Sequence, residues 1–269
     1  MIDIRLQKGS RAEIKIKDKV IGPSTFTVIA GPCTIQSKKT LSDIADHLSR
    51  GKISFLRGGS YKMRTSPYSF QGIGQAALEY LSETGKKFNM ITVSEIVSEA
   101  DIKLMSEKID IIQVGTRNMQ NYALLKKLGS VKNPVILKRG MSSTIEEWLL
   151  AAEHLLKAGN RNVILCERGI RTFENMTRNT LDLSSIPVIR QYSNLPVLVD
   201  PSHSTGLRDL IKPLSWAAAA VGADGLIIEV HPCPDESVCD SDQTIDFSIF
   251  EETLKELPGI IKLWDKKLV

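Results

Sequence analysis

The sequence predicts a (β/α)8 TIM barrel, on three observations: short apolar runs alternate with amphipathic stretches, the runs number eight, and 269 residues suit such a barrel. The first run, Phe26 to Ala30, precedes the amphipathic segment Thr40 to Arg50. Ile53 to Arg57 precedes Gly74 to Thr84. Met90 to Val93 and Ile109 to Val114 follow, then the helical segment Asn118 to Leu128. Pro134 to Lys138 precedes Thr144 to Ala158, and Asn162 to Cys166, Pro196 to Val199 and Leu226 to Val230 complete the strands, with Leu207 to Val221 before the last. Gly51, Gly85, Gly129, Gly159 and Gly222 follow the five helical segments as candidate C-caps. A doubly wound sheet is the competing architecture.

No Pro-, Gly- or Ser-rich linker or low-complexity tract interrupts the chain, so residues 1–269 read as a single catalytic domain. Residues 1–24 read as an N-terminal extension. The alternation of Ile2, Ile4 and Leu6, then Ile14, Ile16 and Val20, around Lys8-Gly9-Ser10 predicts a small β-hairpin capping the barrel bottom.

Composition narrows the function. Hydrophobic residues make up 42% and charged residues 25%, and no apolar run approaches the roughly 20 residues that span a bilayer. Met1-Ile2-Asp3-Ile4-Arg5 lacks the apolar stretch of a signal peptide, so a cytoplasmic location without membrane attachment is expected. Cys33, Cys166, Cys233 and Cys239 are too few and too uneven for a disulfide framework and read as thiols. The net charge of +4 reflects arginines gathered at an anionic site rather than nucleic-acid binding. Aromatics are only 6%, and basic residues elsewhere are interspersed with acids.

In this fold, catalytic groups sit at the C-terminal ends of the strands, and unusual residues recur there. Cys33 follows strand one, Arg57 ends strand two, Glu95 follows strand three and Arg117 follows strand four. Lys138 ends strand five, Arg168 follows strand six, His203 follows strand seven and Glu229 lies near the end of strand eight. The segment Phe55 to Pro67 adds Lys62, Arg64, Thr65 and Ser66 beside Gly58-Gly59, a grouping suited to anions. Arg57, Lys62, Arg64, Arg117, Lys138 and Arg168 together give a dense positive field that two phosphorylated compounds would neutralise. Cys33, His203, Glu229 and Asp240 form a mixed S/N/O set suited to a divalent transition metal. Cys33 as a nucleophile paired with His203 or His231 is the alternative, and Cys166 reads as core filler.

Several strings resemble 3-deoxy-D-arabino-heptulosonate 7-phosphate (DAHP) synthases. They are Ala30-Gly31-Pro32-Cys33, Leu56-Arg57-Gly58-Gly59, Lys62-Met63-Arg64-Thr65-Ser66-Pro67, Gly115-Thr116-Arg117, Ile136-Leu137-Lys138, Asp200-Pro201-Ser202-His203, and Glu229-Val230-His231-Pro232 through Asp240 to Gln243. The resemblance is to the short type I beta form without a regulatory extension, and it runs in order from about residue 20 to 250. It implies condensation of phosphoenolpyruvate with erythrose 4-phosphate, the first committed step toward chorismate and the aromatic amino acids. It implies a metal ion (Mn, Fe, Co or Zn) on Cys33, His203, Glu229 and Asp240. Phosphoenolpyruvate would fall to Arg57, Lys62, Arg117, Lys138 and Arg168, erythrose 4-phosphate to Arg64, Thr65 and Ser66, and the attacking water to Glu95. A homodimer or homotetramer, insensitive to aromatic amino acids, is implied as well.

The chain departs from the family pattern at Gln36-Ser37, at Met63 in place of proline, and at Cys239-Asp240-Ser241, where Asp242 becomes an alternative ligand. The sister enzyme 3-deoxy-D-manno-octulosonate 8-phosphate synthase, which takes arabinose 5-phosphate, usually carries Ala-Asn-Arg-Ser-Ser after its lysine. Arg64-Thr65-Ser66 therefore sides with the four-carbon acceptor. A non-catalytic sugar-phosphate-binding barrel is the remaining reading, and the soft-ligand metal set argues against it.

Overall fold

The computed structural model describes residues 10–269. Eight parallel strands close into a barrel: β3 (Thr25–Gly31), β4 (Phe55–Arg57), β5 (Ile91–Ile96), β6 (Ile111–Val114), β7 (Val135–Lys138), β8 (Val163–Glu167), β9 (Val197–Val199) and β10 (Gly225–Glu229). Each pairs with the next, and β10 returns to β3 with Glu229 opposite Gly31. These strands are buried on both faces, so they read as continuous apolar runs rather than as alternating patterns. The expected strands are all present, with boundaries shifted by one to three residues.

Before the barrel, β1 (Ile14–Ile16) and β2 (Lys19–Ile21) form an antiparallel hairpin. Its turn falls at Lys17-Asp18, with Lys17 at φ 52, while Lys8 and Gly9 of the expected turn lie outside the described residues. The Ile2, Ile4 and Leu6 half of the expected pattern lies outside the described residues. Ile14, Ile16 and Ile21 join Ile29, Phe55, Ile91 and Ile111 in the barrel's inner apolar cluster, so the hairpin closes the barrel at the strand N-termini.

Outside run α1 (Lys38–Arg50), α2 (Gln75–Lys87), α3 (Ile102–Lys108), α4 (Tyr122–Leu128), α5 (Ile145–Lys157) and α6 (Ser185–Tyr192), then, after the short buried α7 (Ser202–Thr205) at the mouth, α8 (Ile211–Ala220) and α9 (Phe247–Ile261). Local chemistry fixes several starts: Ser37 caps α1, Thr144 and Glu147 form a capping box on α5, and Asp246 caps α9. Gly85 is not a cap. It lies inside α2, where a Cβ would come within 2.3 Å of Thr92 Cγ2, so its role is close packing of the helix on β5. A final strand, β11 (Lys267–Leu268), lies beside β3 in parallel register.

Candidate functional site

The parallel strands all deliver their C-terminal ends to one mouth, which opens into a cavity of about 420 Å3. Lys62, Arg64, Thr65 and Ser66 reach it from the loop after β4, and Glu95 from β5. Arg117 comes from the turn after β6, Lys138 from the end of β7, Arg168 from the β8 loop, His203 from α7 and Asp240 from the loop after β10.

One ligand atom each from Cys33, His203, Glu229 and Asp240 lies within 4.8 Å of all the others. The sulfur, imidazole and two carboxylates form a compact, largely buried donor set of the type that holds transition metals, so these residues fit a divalent cation. Asp240, at φ 55, is the carboxylate brought into the group; Asp242 is not. His203 is oriented from behind: Asp200 Oδ2 lies 2.8 Å from its Nδ1, and Asp200 Oδ1 accepts its backbone N–H at 2.8 Å. That contact turns Nε2 toward the other three residues, the arrangement by which an outer carboxylate fixes a histidine ligand. Gln243 does the same for Glu229, donating to Oε2 at 2.6 Å.

Charges in the cluster respond to one another. Burial lowers the His203 imidazole to about 4, reinforced by the charges of Lys138 and Lys62, so it is neutral at pH 7. Burial pushes the Cys33 thiol well above its ordinary range, and the neighbouring Cys239, Glu229 and Asp240 add to this. Burial alone would raise Asp240, but Lys62 and His203 overcome it and hold the carboxyl low. Burial would likewise lower Lys62, yet Cys33, Glu229 and Asp240 keep its ammonium protonated.

The six cations named from the sequence are not equivalent. Arg57 is buried beneath the cavity and does not line it, because its Nη1 pairs with Glu229 Oε1 at 2.9 Å. Lys138 pairs with Asp200 at 2.5 Å, while Lys62 and Arg64 share Asp240 at 3.0 and 3.1 Å. Arg117 reaches only Thr65 Oγ1, at 3.4 Å. Arg168 donates to backbone carbonyls, and neither it nor Arg117 has a carboxylate within ion-pair distance among the described residues. Glu95 is held by Gln113 Nε2 at 2.8 Å and lies against Gly115, where a Cβ would fall 2.1 Å from its Oε1.

Sequence reasoning left Asp200, Gln113, Gln243, Arg171, Arg178 and Asn179 without roles. Asp200 and Gln243 lay inside quoted motifs, and their offsets from His203 and Glu229 were the available signal. Arg171, Arg178 and Asn179 line the cavity from the long irregular stretch between β8 and α6. The length of that stretch in a compact barrel marks a functional loop.

The sequence model of the DAHP synthetase I family matches residues 7–262. The phospho-2-dehydro-3-deoxyheptonate aldolase of Thermotoga maritima is 54% identical over 244 residues, covering 91% of this chain and 72% of that protein. The 2-dehydro-3-deoxyphosphooctonate aldolase of Desulfotalea psychrophila is 31% identical over 249 residues, covering 86% of this chain and 88% of its own. The crystal structure of the Thermotoga maritima enzyme, also called DAHP synthase, superposes with a TM-score of 0.94 at 50% identity, covering 97% of this chain and 76% of that one. A truncated form of the Thermotoga maritima synthase gives 0.90 at 47% identity, covering 97% and 95%.

Proposed function

Because the chain belongs to the DAHP synthetase I family, we propose that the barrel mouth is where its two phosphorylated substrates meet, with the residue roles set out below. The enzyme condenses phosphoenolpyruvate with erythrose 4-phosphate and water, giving 3-deoxy-D-arabino-heptulosonate 7-phosphate and phosphate, the first step of the shikimate pathway. The observation that carries the site assignment is the gathering of Cys33, His203, Glu229 and Asp240 beside a cavity rich in unpaired arginine.

The family is metal-dependent, and those four residues would hold the ion, with Mn, Fe, Co and Zn all compatible with the donor set. When bound, it supplies Lewis acidity toward the aldehyde of the acceptor. The place of Cys33 among His203, Glu229 and Asp240, with their ligand atoms within 4.8 Å of one another, favours the ligand role over covalent catalysis.

The chain's own residues do the rest. Arg117, Lys138 and Arg168 hold the phosphate of phosphoenolpyruvate and Lys62 its carboxylate, orienting the methylene toward the aldehyde. Arg57, ion-paired below the cavity, acts through Glu229 unless that pair opens to the carboxylate. Arg64, Thr65 and Ser66 hold erythrose 4-phosphate. As the carbon–carbon bond forms, protonated Lys62 gives its proton to the aldehyde oxygen. Glu95, fixed by Gln113, takes a proton from the water that adds to the enol carbon. The C–O bond to phosphate then breaks, phosphate leaving with the bonding pair and taking the proton of the newly added hydroxyl as that carbon becomes the ketone.

The acceptor is tested by phosphate release with phosphoenolpyruvate and each aldose phosphate. Turnover with erythrose 4-phosphate far above that with arabinose 5-phosphate is expected, and the reverse preference would overturn the assignment. Residues 1–269 are read as one catalytic domain, working in the cytoplasm as a homodimer or homotetramer by analogy with the family, for which light scattering gives the assembly.

A further inference from the structure

The loop between β8 and α6 carries an arginine with no assigned role, built onto the segment that bears His203. The backbone N–H of Arg178 donates to Thr205 O at 2.9 Å. Its stem packs on Gly206, which sits at φ 73 and whose Cβ would lie 3.2 Å from Arg178 Cβ. Its Nη2 donates to the His203 carbonyl at 2.8 Å, and Arg168 Nη2 donates to that same oxygen at 2.6 Å. Two guanidinium groups thus converge on one carbonyl, and both line the cavity.

Such a like-charge pair is costly without an anion between or beside its members. Three of the other cavity cations have carboxylates, Lys62 and Arg64 on Asp240 and Lys138 on Asp200, whereas Arg117 reaches only the Thr65 hydroxyl. Arg168 and Arg178 have none within ion-pair distance among the described residues. Each guanidinium carries five N–H donors, and among the described residues Arg178 makes one side-chain hydrogen bond, which leaves donors for a ligand.

We propose that Arg178 is the second arm of a clamp, with Arg168, for the phosphoryl group of phosphoenolpyruvate and for the inorganic phosphate it becomes. The proposal rests on the reading of the mouth as the phosphoenolpyruvate site. Two guanidiniums spread the charge of a phosphate dianion over several charge-assisted hydrogen bonds. Because both arms hang from the His203 carbonyl, the leaving phosphate is positioned relative to the same short helix, α7, that presents the imidazole.

The test is calorimetric binding of phosphoenolpyruvate, and separately of inorganic phosphate, to the metal-loaded full-length protein and its R178M and R178K variants, with steady-state KM values alongside. Loss of a charge-assisted contact should weaken both ligands by about 10-fold or more in R178M. The KM for erythrose 4-phosphate should move by less than about 2-fold, since the acceptor is held elsewhere. R178K, which keeps the charge without the fork, should recover part of the loss. Melting of the ligand-free proteins separates folding from binding: weakened affinity in R178K at an unchanged melting temperature supports the clamp. Wild-type affinity for both ligands in the two variants, or a rise confined to the KM for erythrose 4-phosphate, would overturn it. Donor binding is read without any acceptor, so an error in the acceptor's identity leaves this result intact.

Discussion

Asp224 and Asp200 are both fully buried, both paired with a lysine, and stand at opposite ends of the barrel. Asp224, just before β10 at the closed end, accepts from Lys266 Nζ at 2.5 Å, from Arg11 and from the backbone N–H of Val197 at 2.8 Å. Isoleucines of the hairpin fill the barrel interior at that end. Asp200, just after β9 at the open end, accepts from Lys138 at 2.5 Å and holds the His203 ring at 2.8 Å, but these two partners line a cavity with arginines to spare. The comparison teaches that a buried ion pair does not by itself mark a site. Such pairs also serve architecture, often with little net gain in stability. What distinguishes the open end is surplus positive charge around a cavity, and a metal-type donor set beside it.

The contrast breaks hardest at Cys33. Cys33→Ala should abolish metal retention and lower turnover at least ~1000-fold, the scale of losing several kcal/mol of Lewis-acid stabilisation, with circular dichroism unchanged. Metal analysis and phosphate release read both effects, and a folded variant that keeps metal would remove the open end's claim to be different. Asp224→Asn is the mirror experiment. It strands Lys266 and should cost about 3–5 kcal/mol of stability in denaturant unfolding while leaving kcat per folded molecule near wild type. Asp200→Asn should act on function through His203, weakening metal affinity or activity by about 10–100-fold. Equal effects from the two aspartate variants would dissolve the comparison.

The last effect is on pH dependence. Between its ordinary value and about 4, His203 is neutral in the folded protein but protonated in the unfolded chain. The unfolded state therefore binds more protons there, so stability of the metal-free protein is full above roughly pH 6.5 and falls as pH drops toward 4. The loss should approach about 3 kcal/mol across that window and should be absent in His203→Gln. Chemical unfolding of the chelated protein at several pH values measures it.

The strands were legible because a parallel sheet buried on both faces leaves uninterrupted apolar runs, and the ends of those runs pointed at the mouth. Helices α3, α6 and α9 were not among the expected segments. The first spans only seven residues, and the other two carry Pro187 and Pro258 within their bounds, which blurs a helical pattern. Cys33, His203 and Glu229 could be picked out because each sits within a few residues of a strand end. Depth could not be read: nothing in the chain says that Arg57 turns down onto Glu229 while Arg117 and Arg168 meet no carboxylate among the described residues. The pairing of Arg178 with Arg168 was equally hidden, since it depends on two loops meeting at the His203 carbonyl.

On the proposed reading, the open end performs a metal-dependent condensation of phosphoenolpyruvate with erythrose 4-phosphate. Phosphate release from these two substrates, followed before chelation, after chelation with metal content measured, and after adding back a divalent ion, tests it most directly. Activity that disappears with the metal and returns with Mn, Fe, Co or Zn is the predicted result. Undiminished turnover by protein shown to be metal-free would contradict it.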